Sequence, residues 1–470
     1  VVALAVALVF GAGLAFVPAV LNDGDTFLHI RAGEAMLDTR SILTFDLFSA
    51  SKAGAPWQTH EWLAQLALGL AHRVGGLSAV LLLTALAGGL AVYQTTRAVT
   101  RHVEPAYAVL MLAVGVLVTA PSLLARPHVL VLPLLAAVLV EVFAAAEARR
   151  RPRLLILVPA IWLWANMHGS FVIGLALIGV GGLEAMLSAS GWRPALDVAA
   201  RWALVGVVAA AATVAGPHGL ATLTFPLTHA SSPVLAQIGE WVPLTFSRPN
   251  AFEAAVALIL VLLSRRVALA PARLIALLVL MYLSVTHVRH LLLLGFIAPV
   301  LLAPTLGELK PATGGADSRR ALAALALAAL AIAGARLALP ASARDAETTP
   351  VSAVAAVPDD LKRQPVFNDY AFGAYLIYAD VPPLIDSRVE LYGTAFVRDY
   401  SRSIYDVCRL VAVLNAERVA WTILTPQNPA TAMLDHLPGW TRIHADAFAV
   451  VHRHAGGATP APERCRTATP

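Results

Sequence analysis

Roughly eleven apolar runs, separated by short charged loops, set the terms on which this chain can fold. A helix that crosses a bilayer needs about 20 mostly apolar residues. Runs near 1–20, 76–96, 105–122, 129–146, 154–167, 170–188, 202–216, 251–264, 271–286, 290–305 and 321–339 meet or approach that length. Only 13% of the 470 residues are charged, about half the share of ~25% found in soluble domains. The fold class expected is an α-helical polytopic membrane protein. Val1–Val20 is read as an uncleaved span, because no small-x-small cleavage site precedes Asn22. The net charge of +5 comes from arginines in the short loops. It therefore sets orientation and does not signal nucleic-acid binding. Two cysteines, Cys408 and Cys465, exclude a cysteine-rich metal site or a disulfide scaffold and leave one bridge open.

Orientation follows from the loops. Arg97 and Arg101, Arg149 to Arg153, Arg193 and Arg201, Arg265, Arg266 and Arg273, and Lys310, Arg319 and Arg320 fall in alternate loops. The positive-inside rule places those loops in the cytoplasm. The other loops then face outward and collect the unusual residues: Asp23, Asp25, His29, His60, Glu61, Arg126, His128, Asn166, His168, His218, Glu240, Trp241, Arg289 and His290. Such crowding on one side favours a shared outward-facing site, because polar groups at a bilayer edge are costly unless partnered or functional.

The richest outward segment is 21–75. Asp25 and Thr26 suit a helix N-cap, and Phe27, Ile30, Ala35 and Leu37 give the helix an apolar side. A second helix is expected over Thr59–Arg73. Both read as interfacial, with Phe45, Phe48 and Trp57 as anchors in the headgroup layer. Asp23 and Asp25 can share a divalent cation, act as base and orienting group, or cap a helix and face water. The spacing alone leaves these open. W-Q-T-H-E-W at 57–62 supplies His60 and Glu61; residue 64 is alanine, so the zinc-protease pattern H-E-x-x-H fails.

The remaining outward motifs carry two readings each. Arg126 with His128, and Arg289 with His290, sit at span ends. There arginine either grips a phosphate bidentately or snorkels to lipid headgroups. Asn166 and His168 in N-M-H-G break an apolar stretch at a hairpin tip, and G-P-H-G with His218 reads as a turn. Glu240–Trp241 has the form of a sugar-facing acid beside a stacking aromatic. From about Ala341 charges, prolines and aromatics return, and residues 341–455 suffice for a small α/β domain. Strands are expected at 366–370, 383–386, 419–424 and 447–451, helices at 398–417 and 430–437, and a disordered end over 456–470. F-N-D-Y-x-F-G-A-Y-L and P-L-I-D-S-R-V-E-L-Y-G suit either a surface that meets a polymer or packs over the membrane site, or the caps and turns of a small domain. With an odd number of spans this domain lies outside.

Taken together, D-G-D-T-F-L-H-I-R-A-G-E after the first span, then W-x-x-H-E-W, many spans and an outward tail, resemble the GT-C glycosyltransferases. The plan is similar to protein O-mannosyltransferases, to lipid A aminoarabinose transferases and to a widespread group of bacterial membrane proteins. Gly24 separates the two acids, which departs from the family's adjacent pair. The resemblance implies a bacterial inner-membrane enzyme that takes a sugar from a polyprenyl phosphate. It passes the sugar with inversion to the hydroxyl of a glycan, lipid or protein acceptor. It implies a carboxylate base, Asp23 or Asp25, and leaving-phosphate stabilisation by Arg126 and Arg289. His29, Arg31, His60, Glu61, His128, Asn166, His168, Glu240 and His290 become substrate-binding candidates. Two alternatives stand beside it: a ligase or polymerase using a lipid diphosphate donor, and a lipid or polysaccharide transporter. A transporter more often shows internal repeats or polar residues deep within spans. Here only Glu141, Glu147 and Glu184 lie in or near span ends.

Overall fold

The computed structural model describes residues 1–230, 239–264, 268–312 and 318–465. Every expected apolar run contains a helix. Among the described residues six helices are long and apolar enough to cross a membrane: Trp62–Val99, Pro105–Ser122, Pro127–Glu147, Trp192–Thr213, Val288–Leu309 and Arg319–Ala338. The apolar helices Val2–Phe16, Leu154–Met167, Phe171–Leu187, Ala251–Ser264 and Pro271–Thr286 are shorter. Trp192–Thr213 starts before its apolar run, because Arg201 and Asp197 pair at 2.7 Å across one turn and extend the helix. The sequence assigned no element to Leu220–Ala230, which is also helical.

The chain divides into two compact units. One holds Val1–Val17 and the described residues from Ser78 to Pro340. Its helices touch where side chains vanish: a Cβ on Gly115 would lie 2.4 Å from the Gly295 carbonyl oxygen, so only glycine permits that crossing. Trp164, Phe143 and Phe171 fill its core. At the ends of three helices the buried Arg273 donates at 2.8 Å to Glu184 and to Glu147. Glu141 is likewise held by Arg150 and Arg153. Glu141, Glu147 and Glu184 are thus all held in ion pairs.

The other unit joins Pro18–Leu77 to the described residues from Ala341 onward. This differs from the division expected at residue 340, which kept the loop with the spans. The reason is a buried ionic knot. Arg388 donates to Asp386 from Nε at 2.8 Å and from Nη2 at 2.7 Å, and to Asp46 of the loop at 2.7 Å. The Tyr392 hydroxyl donates to Asp386 at 2.6 Å. Arg388 also lies 4.5 Å over the Trp57 ring. Trp57 is therefore buried against Ala32, Met36 and Leu43, and is not a headgroup anchor.

The tail carries a sheet of four strands, β1 Val366–Asn368, β2 Trp421–Leu424, β3 Trp440–Ala445 and β4 Val450–His454, in the order β1-β2-β4-β3. Only the β1–β2 pair is parallel. The strand expected at 383–386 is absent. Pro382 and Pro383 lack ladder donors, and the Asn368 side chain stands in for a strand, accepting from Leu384 N at 2.8 Å and donating to Ile385 O at 2.8 Å. β3 was missed because its residues are mostly exposed and show no apolar alternation. The helix expected over 398–417 is two, Val389–Ser403 and Val407–Ala416, separated where Asp406 caps the second. The end expected to be disordered from 456 is instead ordered through Cys465. Thr459 and Asn415 exchange hydrogen bonds at 2.8 and 3.0 Å, and Cys408 and Cys465 form a disulfide. Residues 466–470 lie outside the described residues.

Candidate active site

The acid cluster is built by a helix crossing. The helix Gly24–Thr39 meets the first half of Trp62–Val99 at Gly33 and Gly69, where a Cβ on Gly33 would lie 1.9 Å from the Gln65 carbonyl oxygen. Backbone contact this close brings the side chains one turn away together. His29 Nε2 lies 3.4 Å from Glu61, and its Nδ1 lies 3.3 Å from Gln65 Nε2. His60 lies 3.8 Å from the other oxygen of Glu61. An amide N–H can only donate, so Nδ1 accepts and Nε2 carries the proton toward Glu61.

The helix begins one residue earlier than its expected cap. Asp23 holds the N-cap position in extended conformation, its side chain making no capping bond, and Asp25 lies in the first turn. The cap expected of Asp25 and Thr26 is therefore corrected. Gly24 explains the shift: its N–H is taken by Thr348 Oγ1 at 3.0 Å, and a Cβ there would lie 3.2 Å from the Thr348 carbonyl oxygen. The second helix begins at Trp62, not Thr59, whose hydroxyl instead donates to Leu43 O at 2.9 Å. His60 and Glu61 thus sit on the preceding turn, which lets Glu61 reach both histidines. Non-helical Gly75 and Gly76 (φ 59°) then separate this segment from the apolar run. The helix Gly24–Thr39 is enclosed on most sides of its first turns by Thr26, Phe27, Leu28, His29 and Ile30, all buried, so the single apolar face of an interfacial helix is not what it shows. Arg31 is elsewhere: it pairs with Asp380 and lies 3.5 Å from Glu34.

The second cluster lies in the unit of apolar helices. Arg126 is ion-paired with Glu240, whose carboxyl the Arg126 guanidinium holds down at about 2, against desolvation and with help from Arg289. The Arg289 guanidinium stacks 4.5 Å from the Trp241 ring centroid. Trp241 meets His287 at 5.3 Å, and His287 meets His290 at 5.6 Å. On the other side, His128 donates from a protonated Nε2 to Ser122 O at 2.7 Å, and its ring lies 6.2 Å from that of His168. His168 Nδ1 accepts from the Ser170 amide at 3.1 Å. Asn166 is buried and donates to Trp162 O at 2.9 Å; its Oδ1 fills the space a Cβ on Gly216 would need, so it fastens the G-P-H-G turn that carries His218.

Arg289 Cζ lies over the Trp241 ring, and the N–H donors of a guanidinium point along its edges, the geometry that suits an oxyanion. Among the described residues no three His, Cys, Asp or Glu side chains are arranged to hold a metal ion.

The structure matches that of the Archaeoglobus fulgidus oligosaccharyltransferase in the apo form, over 90% of this chain and 69% of that one, with a TM-score of 0.56 and 15% identity. The chain has the GT-C fold. A further GT-C match is ArnT from Cupriavidus metallidurans bound to undecaprenyl phosphate, with a TM-score of 0.35, 13% identity, and 96% and 97% of the two chains covered. By sequence alone no family model and no curated protein matches. With this GT-C fold and its long apolar helices the chain is a multi-pass membrane protein.

Sequence reasoning missed Gln65 and His287. It also missed a relay beside the helix Gly24–Thr39: Glu34 to His72 Nδ1 at 2.7 Å, and His72 Nε2 to the Tyr378 hydroxyl at 3.1 Å. His72 lies 38 and 306 positions from these partners, a separation no local pattern reveals.

Proposed function

We propose that this protein is an inner-membrane glycosyltransferase that moves a sugar from a polyprenyl phosphate to an acceptor hydroxyl outside the cytoplasm, with inversion. Asp23 takes the acceptor proton as the hydroxyl attacks the anomeric carbon. Asp25 and His29, one turn apart, orient the acceptor, and Glu61 fixes the tautomer of His29. Arg289 receives the departing lipid phosphate, and Arg126, oriented by Glu240, adds positive charge beside it. His60, His128, His168 and His290 line the substrate's path. The observation that carries this reading is Arg289 stacked on Trp241 next to the Arg126–Glu240 pair. A lone snorkelling arginine needs no aromatic platform or flanking acid.

All eleven apolar helices are assigned as spans, with the tail outside. The Cys408–Cys465 disulfide supports that side, because such bonds persist in oxidising compartments. Likeness of fold to an oligosaccharyltransferase favours one second reading, transfer of a finished glycan from a lipid diphosphate. Transport is disfavoured, since Glu141, Glu147 and Glu184 are all bound to arginines.

The deciding experiment supplies the purified chain in liposomes with a polyprenyl-monophosphate sugar or a polyprenyl-diphosphate glycan and follows release of the lipid phosphate. Release from the monophosphate is expected. Release from the diphosphate alone selects the second reading, and release from neither overturns both.

A further inference from the structure

In the tail a cleft of about 590 Å³ opens between the end of the helix Val407–Ala416, the end of β4 and the chain that follows it. Its volume is that of a small-ligand site. Arg418, Arg453 and His454 line it, with Gln364 and the backbone of Gly456 and Gly457, and no acidic side chain is among its lining residues. Three other arginines among the described residues of this unit are neutralised, Arg388 by Asp386 and Asp46, Arg442 by Asp435 and Arg409 by Asp406, while Arg363, Arg398 and Arg402, which lie outside the cleft, are not. Among the described residues Arg418 and Arg453 have no carboxylate within ion-pair distance, although Glu417 adjoins one of them in sequence. Burial holds His454 below its ordinary value, so at neutral pH the charge of the cleft belongs to the two arginines.

Three residues at this opening have positive φ, and for Arg418 this is the helix-end conformation that Arg40 and Arg149 also take. Arg418 adopts φ 51°, Gly456 φ 105° and Gly457 φ 81°. A left-handed arginine is an uncommon conformation. Arg418 follows a helix C-terminus, where a cation is favoured; that accounts for one charge and not for Arg453 on β4. The two glycines present peptide groups without side chains, which lets a ring bearing hydroxyls approach closely.

We propose that this cleft binds an acidic saccharide, with Arg418 and Arg453 on its carboxylate or phosphate and Gln364 and the Gly456–Gly457 peptides on its hydroxyls. Amide and peptide groups around two cations suit a hydroxylated anion better than the extended backbone of an acidic peptide. The site is in the tail alone and binding is read without turnover, so its test is separate from that of the transfer reaction.

The test is calorimetry on the full chain in nanodiscs with galacturonate trimer, its methyl ester, glucose 1-phosphate and a triglutamate peptide. Binding of the trimer or the sugar phosphate is expected, and which of them binds names the anion. Arg453→Gln and Arg418→Gly should each weaken it roughly tenfold or more, as loss of a charge-assisted contact does. Arg418→Gly also relaxes the left-handed backbone, so its loss of binding cannot be laid to misfolding. Equal binding of ester and acid, preference for the peptide, binding of no probe, or unchanged affinity in both variants overturns the proposal.

Discussion

His29 and Glu61 meet at 3.4 Å although one lies on a helix and the other on the turn before a second helix, and the contact exists because Gly33 and Gly69 let the two helices touch. If the pair acts as one unit, His29→Ala and Glu61→Ala will each lower transfer, and the double variant will lose little more than either single one. Additive losses in a double-mutant cycle would separate them.

The two acids should differ. A general base contributes about 10²- to 10⁴-fold, so Asp23→Asn should cut turnover by that order while donor binding is kept. Asp25→Asn should be the milder change, since Asp25 lies within the helix and Asp23 before it. A reversed order moves the base to Asp25; normal rates in both singles and the double variant remove the loop from catalysis.

At the other cluster, Arg289→Lys should restore only part of what Arg289→Ala loses, because an ammonium neither stacks flat on Trp241 nor offers a planar fork. Glu240 gives a pH signature. Its carboxyl sits near 2 in the fold against an ordinary 4.5. The pairing therefore contributes fully above about 4.5 and is lost only as pH falls toward 2. Wild type should keep its thermal-stability advantage over Glu240→Gln at pH 3.5. An advantage already gone there would mean that Arg126 does not depress Glu240.

Gly69→Ala should be severe. A Cβ there would lie 2.6 Å from the Glu34 nitrogen and the Gly33 carbon, a backbone clash that side-chain movement cannot relieve. Overpacking of this kind costs about 1–3 kcal/mol or more. A lower melting temperature together with loss of the His29–Glu61 function is expected; unchanged melting would show that the two segments do not cross so closely.

Sidedness can be read directly. Arg151→Cys should be shielded from an impermeant thiol reagent outside the cell, and a cysteine at Ala356, exposed in the tail, should react. The inverse labelling pattern overturns the assigned orientation. Arg150, which holds Glu141 at 2.7 Å, is a poorer labelling position because its replacement breaks a buried pair.

Much of the fold was legible because bilayer-length apolar runs leave few alternatives to helices. The outward residues were legible as types: Arg126, Glu240, Trp241 and Arg289 came from scattered loops and do converge. What was not legible rests on distant side chains. Asn368 replaces a strand with an amide, so the reading of 383–386 failed. β3 is polar on an edge, so no apolar pattern announced it. Arg388 reaches Asp46 across 342 positions, so the loop's attachment to the tail left no local trace.

That attachment has a consequence for synthesis. The segment bearing Asp23, Asp25 and His29 is made before most of the apolar helices, and two partners that pack against it, Thr348 and Tyr378, are made after them. The Gly24–Thr348 bond alone waits for 324 residues. While the apolar helices between them are made and inserted, the acid helix therefore lacks its final packing, and the region proposed for chemistry is completed only after those helices.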